Sequence, residues 1–248
     1  MMKTLFEHRS IRRYTDQPVA DHILDKIVSA AVRASTVGGM QLYSFVITTD
    51  KDMLDKLSPL HFGQITSMGA PVAVTVCCDV HRFSRWCQAS DTTPSYHNML
   101  WYVNGTIDAM LAAQNMILEA EHLGLGACIL GTTLYNADQI CSLLSLPEGV
   151  VPIITIVMGH PAENPPLVER LPVEAVVHRN TYCDYSDDQL RDLWAEKESL
   201  DYVKQLVIQN NTRNLAEIFT TKRYPQKDSI AFSEKYMNTL RKQGFLKE

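Results

Sequence analysis

The sequence predicts a three-layer α+β fold, with helices on both faces of a small central sheet. Two observations support this fold class. Short apolar segments of strand type alternate with longer helical segments, and one long apolar segment of helical type lies near the middle of the chain. The length of 248 residues, with 46% hydrophobic and 21% charged residues, is ordinary for a folded protein with one main core.

The N-terminal part of the chain predicts two helices, a strand and a further short helix. Residues 3–8 and 21–34 have apolar side chains at helical spacing, and Asp21 is expected to be the N-cap of the second helix. Residues 43–49 are rich in β-branched and aromatic side chains, which favours a strand. Residues 51–57 predict a short helix.

The middle of the chain predicts a central strand and a buried helix. Residues 70–79 are apolar on both faces, which is typical of a strand in the interior of a sheet. Residues 81–104 are aromatic and polar without a clean period, and are expected to form a functional lid or to contain a short helix. Residues 105–123 predict a buried helix that Gly124 and Gly126 terminate.

The C-terminal part of the chain contains the last predicted strand, followed by a proline-rich segment and a charged extension. Residues 127–130 predict a short strand or turn, residues 136–144 a helix, and residues 151–158 a strand. Four prolines then mark an extended surface segment. After Tyr185 the composition becomes strongly charged, and the final stretch is expected to be an extension that packs on a neighbouring subunit. Its amphipathic helices are predicted at 187–208, 215–221 and 233–243.

Charge and cysteine content exclude several classes of protein. The net charge of −5 gives no support for non-specific nucleic-acid binding. The first ten residues lack the apolar region of a signal peptide, and the central helix carries Asp108, Glu119 and Glu121, which is unlike a membrane span. The six cysteines form no CxxC pair and no zinc spacing, so neither a metal site nor a disulfide framework is expected. A cytoplasmic location follows as the expectation.

Two clusters in the first fifth of the chain could bind a ligand. His8, Arg9, Ser10 and Arg12 place guanidinium groups and a hydroxyl close together, and such groups bind phosphate oxygens. The alternative is a solvated basic turn. Residues 34–43 combine small residues with two glycines, which lets a flat ligand approach the backbone; the alternative is an ordinary loop. The candidate residues in this loop are Thr36, Gly38, Gly39 and Gln41.

Two weaker candidates lie further along the chain. The glycine-rich segment after the buried helix ends in Ile129, Leu130 and Gly131, and it does not match a dinucleotide-binding fingerprint because its glycines follow a helix. It could present a backbone N–H to a cofactor, or serve only as a helix-terminating turn. Arg170 precedes Leu-Pro, and a lone arginine of this kind is usually a surface residue.

The order and spacing of these signals resemble the nitroreductase family of FMN-dependent NAD(P)H oxidoreductases. Arg-Ser-x-Arg, the small-residue loop ending in Gln before a strand, the helix ending Gly-Leu-Gly, and Arg-x-Pro carry the resemblance. It covers about residues 1–185, the expected FMN-binding core. Residues 186–248 resemble the C-terminal helical extension of the oxygen-insensitive, NADPH-preferring branch, which packs on the partner subunit. The resemblance implies a small, mostly antiparallel sheet.

The resemblance also implies roles for individual residues. His8, Arg9 and Ser10 would hold the FMN phosphate and ribityl chain, and Arg12 would lie by the pyrimidine end of the flavin. The loop with Thr36, Gly38, Gly39 and Gln41 would come from the partner subunit. Gln64 would meet the pyrimidine ring, the backbone of Ile129–Gly131 would approach flavin N5, and Arg170 would bind phosphate. The chain departs from the family pattern at Val168, where a lysine is frequent, and at Val37 and Gly39.

The implied chemistry is ping-pong hydride transfer from NADH or NADPH through FMN to a nitroaromatic, quinone or similar acceptor. The flavin supplies the reactivity, so no catalytic side chain is assigned. Trp86, Tyr96, Trp101 and Tyr102 could stack on aromatic substrates or simply pack the dimer surface. The implied homodimer would bury roughly 2,000–5,000 Å² or more. Two alternatives remain: a dehalogenating or flavin-cleaving FMN enzyme, and a flavin-binding redox sensor without turnover.

Overall fold

In the computed structural model, which describes residues 3–246, the chain forms two compact units. The first contains the residues up to Pro166 together with those from Phe232 onward, and the second contains Leu167–Ala231. This division differs in position from the predicted boundary after residue 185. The assignment of 1–185 as an FMN-binding core and 186–248 as an extension remains a prediction.

The sheet of the first unit is antiparallel throughout. Its strands are β1 (Tyr43–Thr48), β2 (Val72–Asp79), β3 (Gly126–Leu130) and β4 (Val150–Gly159). Their order across the sheet is β1-β2-β4-β3, so β2 and β4 are interior and β1 and β3 form the two edges. Both interior strands are buried along their whole length, as the apolar sequence of β2 predicts for that strand.

The helices connect and cover these strands. Helices α8 to α10 belong to the second unit, and the residues of α11 from Phe232 onward belong to the first. In chain order the helices are α1 (Lys3–Glu7), α2 (Asp21–Ala31), α3 (Lys51–Leu57), α4 (Gln64–Met68), α5 (His81–Ala89), α6 (Met99–His122), α7 (Ala137–Leu143), α8 (Asp187–Ser199), α9 (Asp201–Gln209), α10 (Leu215–Ile218) and α11 (Gln226–Lys242).

Alternating side chains of β2 pack into separate cores on the two faces of the sheet. Val74 and Val76 belong to a cluster that contains Met116 of α6. Ala73, the residue directly before Val74, belongs to a second cluster that contains Ile140 of α7. Because successive side chains of a strand point to opposite faces, helices lie on both sides of the sheet. The predicted three-layer α+β fold with a small antiparallel sheet is therefore confirmed.

The long helix begins earlier than the sequence predicts. Helix α6 starts at Met99, six residues before Gly105, and Asn98 caps it by accepting a hydrogen bond from the Trp101 N–H at 3.2 Å. Gly105 lies inside the helix, and this position is glycine because an added Cβ would lie 2.5 Å from Cys78 Sγ. The segment predicted as a lid or short helix therefore contains α5 and the first turns of α6.

Other element ends were also placed wrongly. Ala20, and not Asp21, is the N-cap residue of α2, and no side chain caps that helix. Gly126 begins β3 and does not belong to a helix terminus. The helix predicted at 187–208 is two helices separated at Leu200, whose backbone is extended. The last helix begins at Gln226, seven residues before its predicted start.

The described residues also bear on membrane insertion and disulfide bonds. No helix within residues 3–246 has the length and apolar character needed to cross a membrane. The six cysteines are all free, and five of them are buried in the first unit. The adjacent pair Cys77 and Cys78 lies in the interior strand β2, where burial raises the pKa of both thiols and keeps them neutral.

Candidate functional site

The arginine cluster that follows α1 lies along the outer edge of β3. The Ile11 N–H donates to the Ala127 carbonyl at 3.0 Å, which attaches the N-terminal segment to the edge strand. Ser10 and Arg12, on either side of Ile11, lie near the Cys128 thiol, and both side chains lower its pKa against the larger effect of burial. Burial raises the pKa of that thiol, so the hydroxyl and the guanidinium surround a neutral sulfur.

His8 and Arg9 already have partners within the first unit. His8 Nδ1 lies 2.6 Å from Glu121 Oε1 at the end of α6. One amino group of Arg9 donates to Asn164 Oδ1 at 2.8 Å and to the Pro165 carbonyl at 3.0 Å. These contacts fix the direction of both side chains, and only their remaining N–H groups can serve a ligand.

The outer edge of β3 is open beyond Ala127. In an antiparallel strand the backbone groups of alternate residues point the same way, so those of Ile129 point away from β4, as the Ala127 carbonyl does. No described backbone group pairs with Ile129 on that side. Gly131 is exposed, and an added Cβ there would have no atom within 4 Å. The edge therefore offers peptide groups without a backbone partner, the Ile129 carbonyl accepting only a long contact from the Cys128 thiol at 3.7 Å, and it has room for a flat ligand.

Gln64 lies at the far end of the same edge. It is the first residue of α4, and its Oε1 accepts a hydrogen bond from Thr132 Oγ1 at 3.1 Å. Thr132 Oγ1 is also 2.9 Å from Nδ1 of His61, which is fully buried. Ser10 and Arg12, the strip from Ile129 to Gly131, and Gln64 are thus brought together along one edge of the sheet. His61 and Thr132 were not predicted from the sequence.

The small-residue loop lies elsewhere, immediately before β1 at the opposite edge of the sheet. Gly38 and Gly39 have φ values of +55° and +70°, which glycine adopts at little cost. Gln41 has a φ of +51°, and its side-chain amide donates to the Tyr43 hydroxyl at 3.2 Å. Within one chain, this loop is therefore separated from the groups along β3 by the width of the sheet.

A buried carboxylate holds the loop in shape. Asp108 of α6 is only 2% exposed, and it accepts hydrogen bonds from Thr36 Oγ1 at 2.5 Å, the Val37 N–H at 3.1 Å and the Leu42 N–H at 3.2 Å. Arg82 of α5 donates to the backbone carbonyls at the end of the loop. Neither residue was predicted to belong to the site, although an acid inside a buried apolar helix is a signal that partners are needed.

Arg170 lies in the second unit, exposed to solvent. Its guanidinium donates to the carbonyls of Val168 and Glu169 at 3.0 and 3.3 Å, both within two residues of it in the chain. These contacts leave several N–H groups of Arg170 unused. Its role in binding phosphate remains a prediction.

The aromatic residues of the predicted lid mostly pack on one another. Tyr96 and Trp101 make an edge-to-face contact with ring centroids 4.8 Å apart. The Tyr102 hydroxyl lies 3.0 Å from the Tyr236 hydroxyl of α11. Trp86 is the exception, since 62% of it is exposed. Packing accounts for three of the four aromatic residues, and Trp86 remains available to contact another molecule.

Comparison with known proteins finds a matching family profile and similar curated proteins. Residues 5–160 match the sequence profile of the Nitroreductase family. The chain is 31% identical over 224 residues to the oxygen-insensitive NADPH nitroreductase of Salmonella typhimurium, which covers 85% of this chain and 92% of that protein. It is 33% identical over 227 residues to the NAD(P)H FMN reductase of Bacillus subtilis, with 88% of each chain covered.

A solved structure gives the same result for the fold. A Bacteroides fragilis protein described as an oxidoreductase superposes with a TM-score of 0.96 at 41% identity, over 99% of this chain and 100% of that one. The profile match covers more than half of the chain, and the similarity to the curated relatives extends well beyond it. The chain belongs to the nitroreductase family.

Proposed function

We propose that this protein is an FMN-dependent oxidoreductase that uses NADH or NADPH to reduce small electron acceptors such as nitroaromatics and quinones. The single observation that carries the proposal is the open edge of β3. It has arginine and hydroxyl donors near Ala127 and an amide donor near Thr132. The names of the curated relatives, an NADPH nitroreductase and an FMN reductase, support the same activity.

The residues along this edge suit a flavin mononucleotide. Arg9, Ser10 and Arg12 supply charged and neutral donors for a phosphate. The exposed Gly131 leaves open space beside the backbone, where a flat ring could lie against the peptide groups. FMN held there would supply the two-electron hydride-transfer chemistry between a reduced nicotinamide and an acceptor. The chain's own groups bind and orient: the arginines fix the phosphate, and Gln64 orients the ring.

The charge of Arg12 has a second consequence. Its guanidinium remains protonated at any working pH. Near a flavin that becomes anionic on reduction, it would favour the reduced state and so raise the reduction potential. Glu163 Oε1 accepts a hydrogen bond from the Arg12 backbone N–H at 2.6 Å, which places a negative charge at the same position. The two charges oppose each other, so their balance sets the size of the effect.

The functional form would be a homodimer. Helix α6 carries an exposed apolar stripe at helical spacing, formed by Leu100, Val103, Ile107 and Leu111. Leu100 is 64% and Ile107 is 52% exposed, and a continuous apolar stripe of this kind favours a protein partner. The same helix carries Asp108, which holds the loop at residues 36–42. A second copy of the chain that docks on α6 would contact the loop of the first copy. The loop of one chain would then complete the site along β3 of the other.

A cytoplasmic location is part of this proposal. The six free cysteines support a cytoplasmic enzyme, because reduced thiols persist in a reducing compartment.

Steady-state kinetics with a quinone acceptor test the proposed activity. NADH or NADPH oxidation should depend on both FMN and the quinone, and reciprocal plots at several quinone concentrations should be parallel, as ping-pong exchange requires. No oxidation of either nicotinamide with FMN bound and a quinone present would leave only a flavin-binding protein and contradict the proposal.

A further inference from the structure

His61, Thr132 and Gln64 form a hydrogen-bonded chain that begins in the core and ends at the open edge of β3. His61 Nδ1 and Thr132 Oγ1 are 2.9 Å apart, and Thr132 Oγ1 and Gln64 Oε1 are 3.1 Å apart. His61 is fully buried, whereas Gln64 is half-buried beside Gly131 and Thr132. The chain therefore connects a fixed residue in the core to a polar group at the candidate site.

The direction of the hydrogen bonds follows from donor and acceptor counts. A threonine hydroxyl has one proton, so Thr132 can donate to only one of its two neighbours. If it donates to Gln64 Oε1, it must accept from His61, which then carries its proton on Nδ1. The Gln64 amide nitrogen, with two protons, remains directed away from Thr132 and has no partner among the described residues.

The reversed arrangement is less favourable. It would put the His61 proton on Nε2, which is buried and has no hydrogen-bond partner among residues 3–246. A buried N–H without an acceptor costs more than a buried lone pair without a donor. Burial also lowers the pKa of His61 to about 4, so the ring is neutral at neutral pH and only one of its nitrogens is protonated. The core therefore selects one orientation of the Gln64 amide.

We propose that His61 and Thr132 are positioning residues that hold the Gln64 amide so that its NH₂ group, and not its carbonyl, faces the bound flavin ring. This inference rests on the proposed function, since it takes the ligand to be FMN. The ring atom that meets Gln64 must then be an acceptor, either a carbonyl oxygen or an unprotonated nitrogen. A donor at this position strengthens its bond when reduction makes that part of the ring negative, so the arrangement favours reduced flavin.

The first test needs no flavin. In the apoprotein with ¹⁵N-labelled histidine, the His61 resonances should report a protonated Nδ1 and an unprotonated Nε2 at neutral pH. In Thr132→Val the hydroxyl is absent while the shape is kept, and the His61 shifts should change. A His61 protonated on Nε2 in the unsubstituted apoprotein would overturn the inference and leave the proposed function untouched.

The second test measures FMN binding and reduction potential in a set of variants. Thr132→Val should raise the Kd for FMN about two- to tenfold, which corresponds to one net hydrogen bond, and should lower the flavin potential. Thr132→Ser keeps the hydroxyl and should restore both values. Thr66→Val, an exposed substitution two residues along α4, is the matched control and should leave both unchanged.

A double-substitution cycle separates positioning from a general structural effect. If Thr132 acts through Gln64, Thr132→Val should have no further effect in a Gln64→Leu background. An effect of equal size in both backgrounds, or unchanged Kd and potential in Thr132→Val, would overturn the inference while FMN binding by the unsubstituted protein upheld the proposed function. Failure of the unsubstituted protein to take up FMN would overturn both.

Discussion

Asp108 sets the conformation of the loop before β1 through three hydrogen bonds to residues 36–42. In the sequence it is an isolated acid in an apolar helix, which indicates that the carboxylate needs partners but not which residues supply them. Its contacts depend on a loop about 70 residues away in the chain. Such pairing follows from tertiary packing, so local periodicity could not predict it.

Removing this carboxylate should destabilise the protein strongly. Asp108→Ala leaves the Val37 and Leu42 N–H groups and the Thr36 hydroxyl without their acceptor, and we expect a loss of about 2–5 kcal/mol in the free energy of unfolding. Urea denaturation measures the change. Asp25→Ala on the exposed face of α2 is the matched control, with an expected change below about 0.5 kcal/mol. Similar losses for both variants would contradict the assigned role of Asp108.

His61 should make stability depend on pH in a defined window. Its folded pKa of about 4 lies below the unfolded value near 6.5, so the unfolded chain binds more protons between these values. Stability therefore falls as the pH falls from about 6.5 to about 4, by up to about 3 kcal/mol from this residue. In His61→Gln, urea denaturation across this range should lack that component, whereas an unchanged pH profile would argue against a buried neutral His61.

At the scale of single elements, a substitution at the open edge of β3 can distinguish a binding role of this edge from a structural one. Gly131 has open space around it and no positive φ, so Gly131→Ala should change the free energy of unfolding by less than about 0.5 kcal/mol. If a flat ligand lies against this backbone, the methyl group added by Gly131→Ala should raise the Kd for FMN at least tenfold. Fluorescence titration of the apoprotein with FMN measures the binding.

Gly124→Ala serves as a control with the opposite expected result, a loss of stability without a change in FMN binding. Its φ is +83° and no atom lies within 4 Å of an added Cβ, so Gly124→Ala should cost about 1 kcal/mol of stability through backbone strain. FMN binding should not change, because Gly124 precedes the strand. If Gly131→Ala binds FMN as tightly as the unsubstituted protein, the open edge of β3 is not the flavin site.

The elements also show which signals in the sequence were sufficient. Strand β2 is apolar on both faces, and its interior position follows from that pattern, whereas β4 was predicted only as a strand. The predicted start of α6 was wrong because Gly105 was interpreted as a helix boundary. It is glycine because Cys78 and Leu42 pack against it, which is a requirement of tertiary structure. Asn98 was the available signal, since it is a good N-cap residue directly before an apolar segment.

For the whole molecule, the two groups of predicted site residues lie at opposite edges of one sheet. The cluster at residues 9–12, the strip at 129–131 and Gln64 come together within the chain. The loop at residues 36–41 does not join them. The resemblance assigned that loop to a partner subunit, and the exposed stripe on α6 offers the surface for such a partner. Composition and periodicity could not have predicted this separation, because it depends on strand order.

Disrupting the stripe should therefore remove both the dimer and the flavin. Ile107→Glu places a charge in the middle of the apolar stripe on α6, and we expect monomers in analytical ultracentrifugation together with loss of FMN from the purified protein. Lys26→Glu on the exposed face of α2 changes the charge without touching the stripe and should behave as the unsubstituted protein does. A monomeric Ile107→Glu that retains FMN with full affinity would show that each chain holds a complete site.

The most direct test of the central claim is an absorption spectrum of the protein saturated with FMN, recorded without oxygen before and after addition of NADPH or NADH. The account predicts flavin bands that bleach on addition of the reduced nicotinamide and return when a quinone or nitroaromatic is added. Protein that takes up no FMN, or FMN that stays oxidised with either nicotinamide, would contradict the proposed oxidoreductase activity.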